Sequence, residues 1–108
     1  MEKRKPHCDL KTLKKFFNSE TTRIITQVAR QGAATLGYMD DAAIAEVIER
    51  LCSQHFYKSM TMHKNNKIWQ DVYKCKDDEN KLYIKLQLSV NEKQTILIQF
   101  KQDEEGDK

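Results

Sequence analysis

The sequence predicts an α+β fold, with three N-terminal helices packed on one face of a mostly antiparallel β-sheet. Three observations predict it. Ile44, Val47, Ile48 and Leu51 recur at i, i+3, i+4 and i+7, the spacing of a helix with one buried stripe. From Phe56 onward the apolar period drops to two, most clearly where Leu82, Ile84, Leu86, Leu88 and Val90 alternate with Tyr83, Lys85, Gln87 and Ser89. Short polar turns separate these runs, which is the pattern of a meander.

The elements follow in order. Asp9 reads as an N-cap before Leu10, Leu13, Phe16 and Phe17, a short helix that also carries Lys11, Lys14 and Lys15. A second helix is expected from Thr22 to Leu36 on Ile24, Ile25, Val28 and Ala29, with Gly32 as its weak point and Gly37 as its C-cap. Asp40 or Asp41 opens the third. Phe56 to Met62 is the first expected strand, followed by a turn at His63–Asn66 and a strand from Lys67 to Cys75. A polar turn over residues 76–80 leads to the Leu82–Val90 strand. Asn91–Lys93 turns the chain into Gln94–Lys101, with Ile96, Ile98 and Phe100 expected on one face. Helices on one face of an antiparallel sheet bury both apolar surfaces in a single layer.

The 108 residues suit one domain, expected over residues 1–101 and followed by a short acidic tail, 102–108, expected to be disordered. The overall net charge of +3 conceals an asymmetry. Without the tail, the body carries 18 basic against 12 acidic residues, a net of +6. Such a body suits a polyanion, although many soluble domains are mildly basic with no such partner. Cys8, Cys52 and Cys75 are odd in number and include no CxxC pair, which argues against a disulfide framework and a zinc site. They read as reduced thiols. No apolar run approaches the roughly 20 residues of a membrane span, and no signal-type segment follows the basic start, so a cytoplasmic protein is expected.

The chemistry centres on the sheet face opposite the core, where Tyr83, Lys85 and Gln87 are joined by Gln99 and Lys101. Polar side chains facing water are the ordinary outer face of an antiparallel sheet. The competing reading is a surface that binds and cleaves RNA. The RNA 2′-hydroxyl is an internal nucleophile, so cleavage needs only its orientation, its deprotonation, a stabilised phosphorane and a proton for the 5′-oxygen. Lys58, Tyr83, Lys85 and Lys101 can supply these between them, with no metal and no cofactor. Parity sets a condition: Lys58, Gln70 and Tyr83 share one face only if Tyr57, Trp69 and Tyr73 pack toward the core. His7, His55 and His63 are too scattered to argue an acid–base pair, and the three isolated glycines make no phosphate loop. The acids Asp77, Asp78 and Glu79 lie in a turn and read as solvated. Trp69 reads as core more readily than as a base-stacking residue.

The opening Met-Glu-Lys-Arg-Lys-Pro-His, the segment Phe56-Tyr57-Lys58-Ser59-Met60-Thr61 and the segment Ile68-Trp69-Gln70-Asp71-Val72-Tyr73 closely resemble the MqsR toxins. Tyr83-Ile84-Lys85 and Phe100-Lys101 follow at compatible spacing. The resemblance is tight over residues 1–7 and 56–73 and loose over roughly 19–50. It implies a RelE-like fold and a ribonuclease toxin of a type II toxin–antitoxin pair, with an antitoxin of the MqsA type as partner and messenger RNA as substrate. It also implies ribosome-independent cleavage at short GC-containing triplets. Its functional residues fall on Lys58, Gln70 and Tyr83, with Lys101 a supporting RNA contact. The residues alone leave three alternatives: a ribosome-dependent nuclease, a non-catalytic RNA-binding module and a basic face that docks an acidic protein.

Overall fold

The computed structural model describes residues 1–104. The elements are β1 (Glu2–Lys3), α1 (Leu10–Phe17), β2 (Arg23–Ile25), α2 (Gln27–Thr35), α3 (Asp41–Glu49), a 3-10 turn at Ser53–His55, β3 (Phe56–Met62), β4 (Asn65–Asp77), β5 (Asn80–Leu88) and β6 (Thr95–Gln102). The six strands form one sheet in the order β1-β3-β4-β5-β6-β2. β3 to β6 are the expected antiparallel meander, β1 adds to β3 antiparallel, and β2 pairs with β6 in parallel.

The α+β class therefore stands, but the expected arrangement of three N-terminal helices ahead of a mostly antiparallel sheet is corrected. The sheet is mixed, a strand precedes the first helix, and a second strand separates α1 from α2. The segment read as one helix from Thr22 splits at Thr26. Ile24 and Ile25 are β-branched and pair with Ile96 and Leu97. Thr26 then caps α2, its hydroxyl accepting from the Ala29 N–H and lying 3.0 Å from the Leu97 carbonyl oxygen. The cap and the strand together override the helical pattern across this point.

The other caps behave as read. Asp9 accepts from the Thr12 N–H at 3.2 Å and Asp40 from the Ala43 N–H at 2.9 Å. Gly37, at φ +97°, takes the left-handed turn that closes α2. Gly32 has a packing role: a Cβ there would sit 2.3 Å from the Phe100 carbonyl oxygen, so only glycine lets α2 lie against β6. All three helices feed one core. Leu13 and Phe17, Ala29 and Ala33, and Ile44, Val47 and Ile48 meet Tyr73, Leu82, Ile84, Leu86, Leu97 and Phe100 from one face of the sheet.

The last strand departs from its expected parity. A register shift opposite Lys85 and Leu86 pairs Leu86 with Leu97 but Lys85 with Gln99. Leu97 and Phe100 thus share the core face, while Ile96 lies across from Gln87 on the other side. β6 also runs one residue past Lys101, and the Asp103 N–H donates to the Lys81 carbonyl at 2.7 Å. The rest of the acidic tail, residues 105–108, lies outside the described residues. Among the described residues no helix is long and apolar enough to cross a membrane.

Candidate functional site: a lysine-rich open sheet face

The face turned away from the helices is ordered by register into three rows. Lys74, Tyr83 and Lys101 are cross-strand partners in the first. Lys58, Val72, Lys85 and Gln99 make the second, spanning β3 to β6. In the third, Met60 lies opposite Gln70, and Gln70 donates to the Gln87 side-chain oxygen at 2.8 Å.

The parity condition is met for Trp69 and Tyr73 but not for Tyr57. Tyr73 is fully buried in the core, and Trp69 pairs with Thr61 on the helix side. There the N-terminal segment covers Trp69: His7 stacks on it at 5.5 Å and the Lys3 ammonium lies 4.2 Å from its ring. Between Phe56 and Lys58 the β3–β4 register shifts. Such a bulge rotates the chain by one residue and re-aims a side chain. Tyr57 consequently joins Lys58 on the open face, with the Lys74 ammonium 3.9 Å from its ring centroid.

Tyr57, Lys58, Tyr83 and Lys101 line a recess of about 140 Å³, with Asp103 and Glu104 at its rim. The Lys101 ammonium lies 5.0 Å from the centre of the Tyr83 ring and that of Lys58 5.4 Å from Tyr57. Two carboxylates reach into this cationic group. Glu2 of β1 pairs with Lys58 at 2.7 Å, and Asp103 pairs with Lys74 at 3.4 Å. The hydrogen bond from Lys58 holds the Glu2 carboxyl below the usual carboxylate range. The same bond, opposed in part by burial, raises the proton affinity of Lys58, so Lys58 is a fixed positive charge. Lys85 is displaced in the opposite direction: burial first, then the charges of Lys101 and Lys58, lower its pKa.

Three of the five residues expected at the site, Lys58, Tyr83 and Lys101, are thus brought together. Lys85 stands one row away, between that recess and a wider hollow of about 580 Å³ lined by Gln70, Lys85, Met60, Met62 and His63. Gln70 is the outlier. It is four residues from the Tyr83 partner Lys74 along β4, which is roughly 13 Å of strand. Its side chain is 6% exposed and tied to Gln87. Gln70 therefore faces a different part of a bound chain from Tyr83.

Sequence reasoning placed Gln87 on this face from its alternation with Leu86 and Leu88, but missed Tyr57, Lys74 and Glu2 as members of this surface. Tyr57 was hidden by the bulge, and Glu2 by a contact across 56 residues of chain. Asp77, read as a solvated turn residue, instead pairs with Arg50 at 2.7 Å and accepts from the Tyr38 hydroxyl. The backbone N–H groups of His7 and Cys8 bind the buried Asp71 carboxylate, contacts that span 64 and 63 residues of chain.

Together these features define a small α+β protein that presents a lysine-rich cleft with two tyrosines on an otherwise open sheet. Residues 5–102 match the family described as the motility quorum-sensing regulator, toxin of MqsA. The mRNA interferase toxin MqsR of Escherichia coli (strain K12) is 40% identical over 86 residues, covering 80% of this chain and 86% of that relative. The chain belongs to the MqsR toxin family.

Proposed function

We propose that this protein is an mRNA endoribonuclease acting as the toxin of a type II toxin–antitoxin pair, neutralised in the cytoplasm by an MqsA-like antitoxin. Family membership supports the activity, and one observation carries the site: Lys58, Tyr83 and Lys101 line a single recess on the open sheet face. The reaction is attack of a 2′-hydroxyl on the adjacent phosphorus at short GC-containing triplets, without ribosome or metal. Lys58, held protonated by Glu2, stabilises the charge of the phosphorane. Tyr83 transfers a proton, and Lys101 beside it holds the phosphate. Gln70, displaced along β4, orients an adjacent base. The products are a 2′,3′-cyclic phosphate and a 5′-hydroxyl.

The test is purified protein with a defined GC-containing RNA in EDTA, without ribosomes, beside the Lys58→Ala variant. Cleavage to a cyclic phosphate that is lost in the variant is the expected result. A 5′-phosphate product, or cleavage abolished by EDTA, refutes the mechanism. Intact RNA that is cut only on translating ribosomes favours the ribosome-dependent alternative.

A further inference from the structure

Cleavage of RNA by its own 2′-oxygen needs two proton transfers, and the recess lined by Lys58, Tyr83 and Lys101 accounts for only one of them. We propose that Lys85 is the general acid, giving its proton to the 5′-oxygen as that oxygen leaves phosphorus. The inference rests on the ribonuclease reading above and assigns a role within the same face.

The placement comes first. Lys85 follows Tyr83 by two residues on β5 and shares its face, so the two lie roughly 6.5 Å apart along the strand. In an in-line displacement the attacking and leaving oxygens stand on opposite sides of phosphorus. A phosphate seated over β5 between the two residues therefore presents one oxygen to each. Tyr83, acting as its phenolate, takes the proton of the 2′-hydroxyl as the 2′-oxygen–phosphorus bond forms, and afterwards returns that proton to water. The bond from phosphorus to the 5′-oxygen breaks, its electron pair stays on oxygen, and the Lys85 ammonium supplies the proton. Lys85 is left as a neutral amine and regains its proton from water.

The charges around the lysines separate their roles. Among the described residues, the ion pairs on this face belong to Lys58 and Lys74; Lys85 and Lys101 are in none. Lys58 is bound to a carboxylate and keeps its proton. Lys85 is half-buried, with Lys58 beyond Val72 on one side, Lys101 on the other and Tyr83 on its own strand. His63 and Met1 border the hollow that it lines. A cation crowded by cations and withdrawn from water gives up its proton more readily than an ordinary lysine, as its lowered pKa reflects. Groups whose surroundings drive their proton affinities apart divide naturally into a fixed charge and a proton donor.

The experiment uses two RNA oligonucleotides cut at the same mapped site, one unmodified and one with sulfur replacing the 5′-bridging oxygen. A thiolate leaves without being protonated. Lys85→Gln is expected to be slowed about 100-fold or more on the oxygen substrate, the ordinary contribution of a general acid, and to approach the parent on the sulfur substrate. Lys85→Arg keeps the charge but holds its proton too tightly to donate it, so it is expected to behave the same way. Lys58→Ala should be slow on both. Recovery of oxygen-substrate cleavage in Lys85→Arg overturns the proposal, as does equal slowing of either folded Lys85 variant on both substrates. A parent protein that cuts neither oligonucleotide overturns the ribonuclease reading itself.

Discussion

Removal of the Asp71 carboxylate should release the N-terminal segment from the sheet. Asp71 is 1% exposed and accepts from the His7 N–H at 3.1 Å, the Cys8 N–H at 2.9 Å and the Ser59 hydroxyl. In Asp71→Ala all three donors lose this partner. A hydrogen bond to a charged group contributes about 1.5–3 kcal/mol, but the two N–H groups are only partly buried and regain water when the segment lifts, so the net cost is about 3 kcal/mol. For a domain of this size that lowers Tm by roughly 12 °C or more. The local event has its own reporter, because Trp69 is the one tryptophan and lies under His7 and Lys3. Its emission should shift to the red at temperatures well below global unfolding. Thermal melts followed by circular dichroism and by tryptophan fluorescence check both parts. A variant within about 1 kcal/mol of the parent, with unchanged emission, refutes the assignment of Asp71 as the clasp.

Further predictions follow from the same contacts. Glu2→Gln releases Lys58 for a phosphate, so affinity for single-stranded RNA should rise at low salt and the plot of log K against log salt should steepen by about 0.7; fluorescence anisotropy reads this, and an unchanged slope removes Glu2 as a competitor. Gly32→Ala drives a methyl group into the Phe100 carbonyl; the helix propensity gained is about 1 kcal/mol and the overpacking cost typically 1–3 kcal/mol, so urea denaturation should show a net loss. Burial, reinforced by Asp71, pushes the Cys8 thiol up to about 11. The unfolded chain ionises Cys8 at its ordinary, lower value while the fold still holds the neutral thiol. Stability from this group is therefore complete below that ordinary value and is lost as pH rises toward about 11. The difference between parent and Cys8→Ala melts across that range should show the fall.

How far the sequence foretold this molecule depends on whether the determining contact was local. β3 and the Asp9 cap were legible to the residue, and the third helix's cap to within the pair Asp40 and Asp41, because alternation and capping are written in adjacent positions. β2 was not. Its Arg23–Ile25 stretch is a strand only because β6, about 70 residues later, offers a parallel edge. The same limit governs the site. Tyr83, Lys85 and Lys101 could be placed on one face from their own strands. Tyr57 reached that face through a backbone bulge that leaves no mark on residue order, and the carboxylate on Lys58 came from the far end of the chain. Ile96 and Phe100 were assigned to one face of β6, and a register shift in the β5–β6 pairing separates them.

The recess draws Lys58 from β3, Tyr83 from β5 and Lys101 from β6, strands that are held in one sheet only after the whole meander has paired. A chain still being synthesised holds Lys58 and Tyr83 well before it holds Lys101. The cleft is therefore missing from any form that lacks or has released β6, and loss of that strand abolishes the site rather than weakening it. On the functional reading above, the ability to damage RNA arrives in a single step with the last strand, and the cell meets either a finished toxin or a harmless chain.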